Sequence, residues 1–344
     1  MNEVVALTAY SKGSGCGCKI EPAVLKTMIA PSVGRGNVPG LLIGNEFSDD
    51  AAVFALDETH ALISTVDFFT PIVDDAYDFG RIAAANALSD VYAMGGTPFM
   101  ALAVLGWPVD KLPHELAARV MVGAEEICKQ AGVALAGGHS IDSAEPFFGL
   151  SVNGKVNRVN IKANCSVGEG DVIYVTKALG TGIISAAAKK KILQAGDLEL
   201  AVQSMTMLNT AGAVFGKLPF VTAMTDITGF GLLGHLGEMI DPNKYSATID
   251  YKAVPFITNL KPYTDVFCMP DGTTKNWKSY HQGIVGVDGE QLITLCDPQT
   301  SGGLLVTVAA AHVGDFEKAC EQEQIRVSAI GRILKTGDYR IRIA

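Results

Sequence analysis

YDFGRIAAANALSDVYAMGGTPFMALAVL, residues 77–105, decides the architecture. Its first part, 77–94, is alanine-rich and helical in pattern, and it stops at Gly95-Gly96, where glycine favours a helix end. Asp90 lies one turn after Asn86, among Ala84, Ala85, Ala87, Leu88, Val91 and Ala93, so this helix is apolar nearly all round and reads as buried. A strand follows at 99–105. Working outward, apolar runs with β-branched residues at 51–56 and 61–69 read as strands. Downstream, 112–131 is a long helix closed by Gly132, and 133–136 and 147–156 are further strands. The order β-β-α-β-α-β-β defines a mixed α/β unit.

The flanks divide the chain. Residues 1–20 alternate glycine with small residues from Ser11 to Gly17 and read as a flexible, glycine-rich segment outside the core. A helix over 21–30 carries Pro22 in its first turn, and 31–46 reads as loop. The polar stretch 157–171 is the junction to a second unit. That unit has strands at 172–176, 221–225, 247–251, 304–308 and 327–333, with helices at 182–191, 198–215, 230–240 and 310–323. Residues 261–300 are rich in turn formers and receive no element. The fold class is therefore α/β (α+β), with two mixed domains, 21–156 and 157–344, behind the segment 1–20. Two domains also suit 344 residues.

Composition excludes several classes. Hydrophobic residues make up 48% and charged residues 18%, too apolar for a disordered chain. The net charge is −9 with no dense basic run, which argues against nucleic acid or an anionic membrane as partner. Mean hydropathy is +0.26, yet apolar stretches such as 98–109 run to about a dozen residues, short of the ~20 that span a bilayer. The start shows no signal-peptide pattern. Seven cysteines, an odd number in no disulfide-like framework, indicate reduced thiols and a cytoplasmic location.

Three constellations carry chemistry. The first is acidic: Asp49 and Asp50 before one strand, Asp67 in another, Asp90 in the alanine-rich helix, and Asp226 ending a strand before Thr228-Gly229-Phe230-Gly231. Carboxylates at strand ends and on an apolar helix are costly to desolvate alone, and Mg²⁺ shared with phosphates would stabilise them. Singly, Asp49 or Asp50 reads as a turn cap and Asp90 as a solvated helix face, the last less readily because its helix is apolar nearly all round. The second is Cys16-Gly17-Cys18-Lys19. An adjacent ammonium favours the thiolate, and the glycines let the segment close over a ligand. A structural zinc site would need a second Cys/His pair at ligand spacing, which the sequence lacks; a tail with incidental cysteines stays open. The third is glycine loops at Gly137-Gly138-His139-Ser140, 229–234 and 301–303, able to present N–H groups to phosphate. None matches a P-loop or a dinucleotide fingerprint.

Together these segments resemble one family. Gly13-Ser14-Gly15-Cys16-Gly17-Cys18-Lys19, Asp49-Asp50-Ala51-Ala52-Val53, Ser64-Thr65-Val66-Asp67, Ser89-Asp90, Gly137-Gly138-His139-Ser140, Met224-Thr225-Asp226-Ile227-Thr228-Gly229 and Asp297-Pro298-Gln299-Thr300 are similar to the selenide, water dikinases, or selenophosphate synthetases. They run in the family's order over nearly the whole chain. Their aspartate loops are shared with the wider aminoimidazole ribonucleotide synthetase superfamily. The resemblance implies that ATP, selenide and water give selenophosphate, AMP and orthophosphate, supplying activated selenium for selenocysteine and selenouridine. It implies Asp50, Asp90 and Asp226 as Mg²⁺ ligands. Lys19, Phe47, Ser48, Asp49, Asp67, Asp90, Gly138, His139 and Ser140 would line the ATP site. Cys16 matches the catalytic cysteine, Lys19 the essential lysine, and Cys18 belongs to the same motif. Phe47-Ser48 departs from the family's pattern, so only backbone contacts carry over there. A homodimer is implied, with ATP between N-terminal domains under the glycine-rich segment, and room for a selenium-delivery protein. The competing readings are another ATP-using enzyme of the superfamily and a thiol-based selenium carrier without turnover.

Overall fold

The computed structural model describes residues 5–11, 13, 15–20, 22–29, 38–44 and 49–344. After helix α1 (Pro22–Ile29) comes the first domain: strands β1 (Leu41–Ile43), β2 (Ala52–Ala55), β3 (His60–Phe69), β4 (Thr97–Trp107), β5 (Ala134–Asp142) and β6 (Phe147–Asn157), with helices α2 (Ala76–Ala93) and α3 (His114–Gln130). The sheet order is β1-β2-β3-β6-β4-β5, antiparallel except for the β4–β5 pair. The order read from the sequence is the one observed, with β1 added inside the stretch read as loop. Three residues are too few to show a period.

Helix α2 is the spine. The Asp75 side chain caps it by accepting from the Asp78 N–H at 2.9 Å. Its alanines allow close neighbours on all sides. At Gly80 and Gly123, α2 and α3 pack backbone to backbone, with no room for a Cβ on either. One face of α2 lies on β3, β4 and β6. Another meets the second domain, and Ile183, Ala201 and Met205 of that domain share one core with Ile82, Ala83 and Leu88. Burial on this scale is the main stabilising term for such an interface.

The second domain holds a seven-stranded sheet, β7 (Val172–Val175), β8 (Val221–Asp226), β9 (Tyr245–Ile249), β10 (Ile284–Val285), β11 (Leu304–Val308), β12 (Ser328–Lys335) and β13 (Ile341–Ile343), in the order β10-β13-β9-β12-β7-β11-β8. Both faces are covered. Leu232, Leu233 and Leu236 pack on one side with Ile173 and Ile333, and Phe215 and Phe316 on the other with Tyr174. Its helices are α4 (Thr181–Lys190), α5 (Asp197–Thr206), α6 (Ala211–Phe215), α7 (Gly231–Met239), α8 (Lys261–Thr264), α9 (Asp271–Tyr280), α10 (Gly289–Leu295) and α11 (Val313–Gln322).

Three expectations need correction. The single helix expected at 198–215 is two, α5 and α6, because the buried Asn209 between them donates to Ser89 Oγ (2.7 Å) and the Gly302 carbonyl (2.8 Å). The strand expected at 133–136 runs on to Asp142, so Gly137-Gly138-His139-Ser140 is strand rather than loop. Residues 261–300 fold as α8, α9, β10 and α10.

Candidate active site

The two domains bring three carboxylates to one point. Asp50 sits before β2, Asp90 near the end of α2, and Asp226 ends β8, opposite Leu304 of β11. One oxygen from each lies within 4.8 Å of the others. Thr225 Oγ1 donates to Asp50 Oδ1 at 2.8 Å, and Thr65 Oγ1 to Asp90 Oδ2 at 2.6 Å. Oδ2 of Asp50 and Oδ2 of Asp226 are buried without a hydrogen-bond partner among the described residues. Burial, then mutual repulsion, pushes Asp50 and Asp90 well above the usual carboxylate range. Burial raises Asp226 to about 6, opposed by a hydrogen bond from Ser89 and the charge of Lys19. Unpartnered buried carboxylate oxygens are costly, and a hard divalent cation with oxygen preference relieves that cost. The donor set therefore fits Mg²⁺.

Beside this cluster lies the cysteine segment. Cys16 begins a short 3₁₀ turn, Cys16–Cys18, and is only 1% exposed. The sequence reading put it outside the core; instead, its N–H donates to Thr300 Oγ1 (3.0 Å) and its Sγ to Asn86 Oδ1 (3.2 Å). Asn86, fully buried on α2, also accepts from the Ser301 N–H (2.8 Å) and donates to Asp67 Oδ2 (2.7 Å). Lys19 Nζ stands 3.7 Å from the same Asp67 oxygen, with its side chain 37% exposed. Burial opposes the lysine's charge, yet Asp67, Cys16, Asp90 and Asp226 together raise its pKa above the ordinary value, so it stays an ammonium. A Cβ at Gly229 would come within 2.8 Å of the Cys16 carbonyl and 3.0 Å of Lys19 Cδ. The glycine is therefore what lets this segment approach Asp226.

Asp49 accepts from the Asn164 N–H at 3.0 Å, which ties the Asp49-Asp50 loop to the domain junction. Phe47 and Ser48 lie outside the described residues. Gly138, His139 and Ser140 do not join the cluster within one chain. Register runs Asp67–Leu150–Ala103–Gly138 and Phe68–Gly149–Val104–His139 across the sheet. These residues are thus in line with Asp67 but three strands away, about 14 Å at the usual spacing. All three are exposed on the edge strand β5.

Sequence reasoning missed the residues that hold the site together. Thr65, Asn86, Ser89, Thr225 and Thr300 are neutral, and only Asn86 gave a signal, one turn before Asp90. Lys177 was also missed. It is buried just after β7, with its pKa lowered by burial to about 7 despite the nearby Asp226.

The two domains are those of a class, the AIR synthase related proteins. The AIR synthase related protein N-terminal domain matches residues 48–156, and the corresponding C-terminal domain matches 168–344. Over 343 residues, covering all of both chains, the sequence is 48% identical to a selenide, water dikinase of Pseudomonas aeruginosa. The chain belongs to the selenide, water dikinase family. Its fold recurs in the thiamine-monophosphate kinase of Stenotrophomonas maltophilia (TM-score 0.64, 20% identity, 93% of this chain and 95% of that one). It recurs also in AaThiL complexed with AMPPCP and TMP (TM-score 0.63, 19% identity, 93% and 91%). Among the described residues no helix is long and apolar enough to cross a membrane.

Proposed function

We propose that the chain transfers the γ-phosphoryl group of ATP to selenide and then cleaves the bound ADP with water, giving selenophosphate, AMP and orthophosphate. The observation that carries this reading is three converging carboxylates with Cys16, seated on Asn86, and Lys19, paired with Asp67, beside them. Family membership supports the reaction class, and the complex of a fold neighbour with AMPPCP, an ATP analogue, is consistent with a triphosphate in this fold.

Asp50, Asp90 and Asp226 would hold Mg²⁺, with Asp49 and Asp67 at the rim of the nucleotide site. When bound, the metal neutralises phosphate charge and stabilises the leaving oxygens. The ammonium of Lys19 adds a positive charge at the same place and can follow a phosphoryl group as it moves. Cys16 orients selenide toward phosphorus, and Cys18 ends the same 3₁₀ turn. Gly17, between the two cysteines, lies against Pro298, with 3.9 Å between a Cβ built there and the ring. We assign to this segment the exclusion of water during the first transfer and its admission for the second.

Gly138, His139 and Ser140 take part through a homodimer in which ATP lies between N-terminal domains. The outer sheet face supports this. Phe54, Val66, Phe68, Phe99 and Ile141 on it are 41–55% exposed, an apolar surface suited to a second copy. The reaction belongs to a cytoplasm, where thiols remain reduced, and selenide could arrive free or from a delivery protein.

Nucleotide chromatography after anaerobic incubation with ATP, Mg²⁺ and selenide tests the reading. AMP is the expected end product, formed only when selenide is present. ADP as the end product, or equal ATP loss without selenide, would overturn it.

A further inference from the structure

The loop 299–303 supplies one of the groups that hold Cys16, Thr300 Oγ1, and a donor to the other, Asn86 Oδ1, and it is itself under strain. Ser301 has φ +49°, in the left-handed region that residues with a Cβ disfavour. Its own hydroxyl is fully buried and has no partner among the described residues, so the side chain does nothing to hold that conformation. Backbone contacts hold it instead. On one side Asn209 donates to the Gly302 carbonyl at 2.8 Å. On the other, Lys177 Nζ donates to the Ser301 carbonyl at 2.9 Å and to the Met207 carbonyl at 2.6 Å. The fit around Lys177 is close: a Cβ on Gly303 would collide with its backbone nitrogen.

The consequence reaches the thiol in two steps. Turning Ser301 out of the left-handed region would move its N–H off Asn86 Oδ1, the acceptor it shares with Cys16 Sγ. It would also move Thr300 Oγ1, the acceptor of the Cys16 N–H. Thr300 is otherwise anchored through its N–H on Thr181 Oγ1 at 3.1 Å. A lysine Nζ, charged or neutral, carries at least two donors on one atom and so suits two converging carbonyls.

We infer that Lys177 is a positioning residue: by clamping the Ser301 and Met207 carbonyls it holds the 300–301 turn in the strained form that seats Cys16 against Asn86. This deepens the proposed function and rests on it for the link to turnover. The seating of Cys16 does not, and can be measured without ATP, metal or selenide.

The test compares iodoacetamide alkylation of individual cysteines by peptide mass spectrometry, in metal-free protein at one pH, well below the unfolding temperature. In Lys177→Met, Cys16 should react at least tenfold faster than in the unaltered protein. The buried Cys128 on α3 and Cys320 on α11 should stay within twofold. Lys177→Arg keeps the charge and several donors, and should restore most of the protection. Should the methionine variant fail to fold, Lys177→Gln, with one donor group and no charge, is held to the same criterion. A Cys16 rate within twofold of the unaltered protein, or equal acceleration of all buried thiols, would overturn the inference. Turnover is then read separately: Lys177→Met should lower kcat at least tenfold with the ATP KM within threefold. Loss of Cys16 protection with no activity even in the unaltered chain would leave the positioning intact and sink the proposed function instead.

Discussion

Replacing Asp226 by asparagine should make the metal-free protein more stable while removing most of its response to Mg²⁺. Asp226 is 1% exposed, and one of its oxygens has no partner among the described residues. Between pH 3.8 and about 6 the folded chain keeps a proton there that the unfolded chain has released. Stability therefore falls as pH rises through that window and stays low above it. At about 1.4 kcal/mol per pH unit the penalty near neutrality is about 3 kcal/mol. Asparagine removes the charge, and with it part of the repulsion on Asp50 and Asp90, but it leaves an amide imperfectly matched. A net gain of about 1–2 kcal/mol at pH 8 is expected, a rise of roughly 1–3 °C in Tm for a chain of this length. The gain should shrink to near zero at pH 5, where about half of the penalty is gone and the mismatched amide offsets the rest. Mg²⁺ at a hundredfold excess over its Kd should stabilise the unaltered chain by about 2.7 kcal/mol, and the variant by less than a third of that. Thermal unfolding with EDTA or Mg²⁺, at pH 5 and pH 8, gives all four comparisons. A variant less stable than the unaltered chain in EDTA at pH 8, or equally stabilised by Mg²⁺, would refute the reasoning.

Other perturbations reach other parts of the site. Cys16→Ser keeps a donor toward Asn86 Oδ1, so Tm should move by no more than a few degrees while selenide-dependent turnover is lost; a rate assay with parallel unfolding checks both. Gly229→Ala puts a methyl group 2.8 Å from the Cys16 carbonyl and 3.0 Å from Lys19 Cδ. It should lower turnover at least tenfold while Mg²⁺ stabilisation survives, which separates the segment from the carboxylates. Introducing Glu at both Val66 and Phe68, exposed on the outer face of β3, should convert a dimer to monomers in sedimentation experiments and raise the ATP KM. A monomeric unaltered chain would contradict that arm.

Much of the fold was legible because α2 is extreme. A helix apolar nearly all round has to be buried between layers, and its alanines and Gly80 tell of near neighbours without naming them. The five aspartates were legible because carboxylates at strand ends and on an apolar helix are expensive unless shared. What stayed hidden was contributed by tertiary contact. Nothing local says that Asn209 breaks a helix by reaching Ser89 and Gly302, or that Gly137-Gly138-His139-Ser140 continues a strand because β4 pairs with it. The burial of Cys16 was hidden for the same reason. A glycine-rich tail reads as free until Thr300, nearly three hundred residues on, is placed against it.

The central claim is that this site joins the γ-phosphorus of ATP to selenium. Phosphorus NMR of an anaerobic reaction with ATP, Mg²⁺ and ⁷⁷Se-labelled selenide reads that bond directly. A new phosphorus resonance split by ⁷⁷Se should appear, growing in equal proportion with AMP and orthophosphate and absent with Cys16→Ser. Orthophosphate and nucleotide products with no selenium-coupled phosphorus would contradict it.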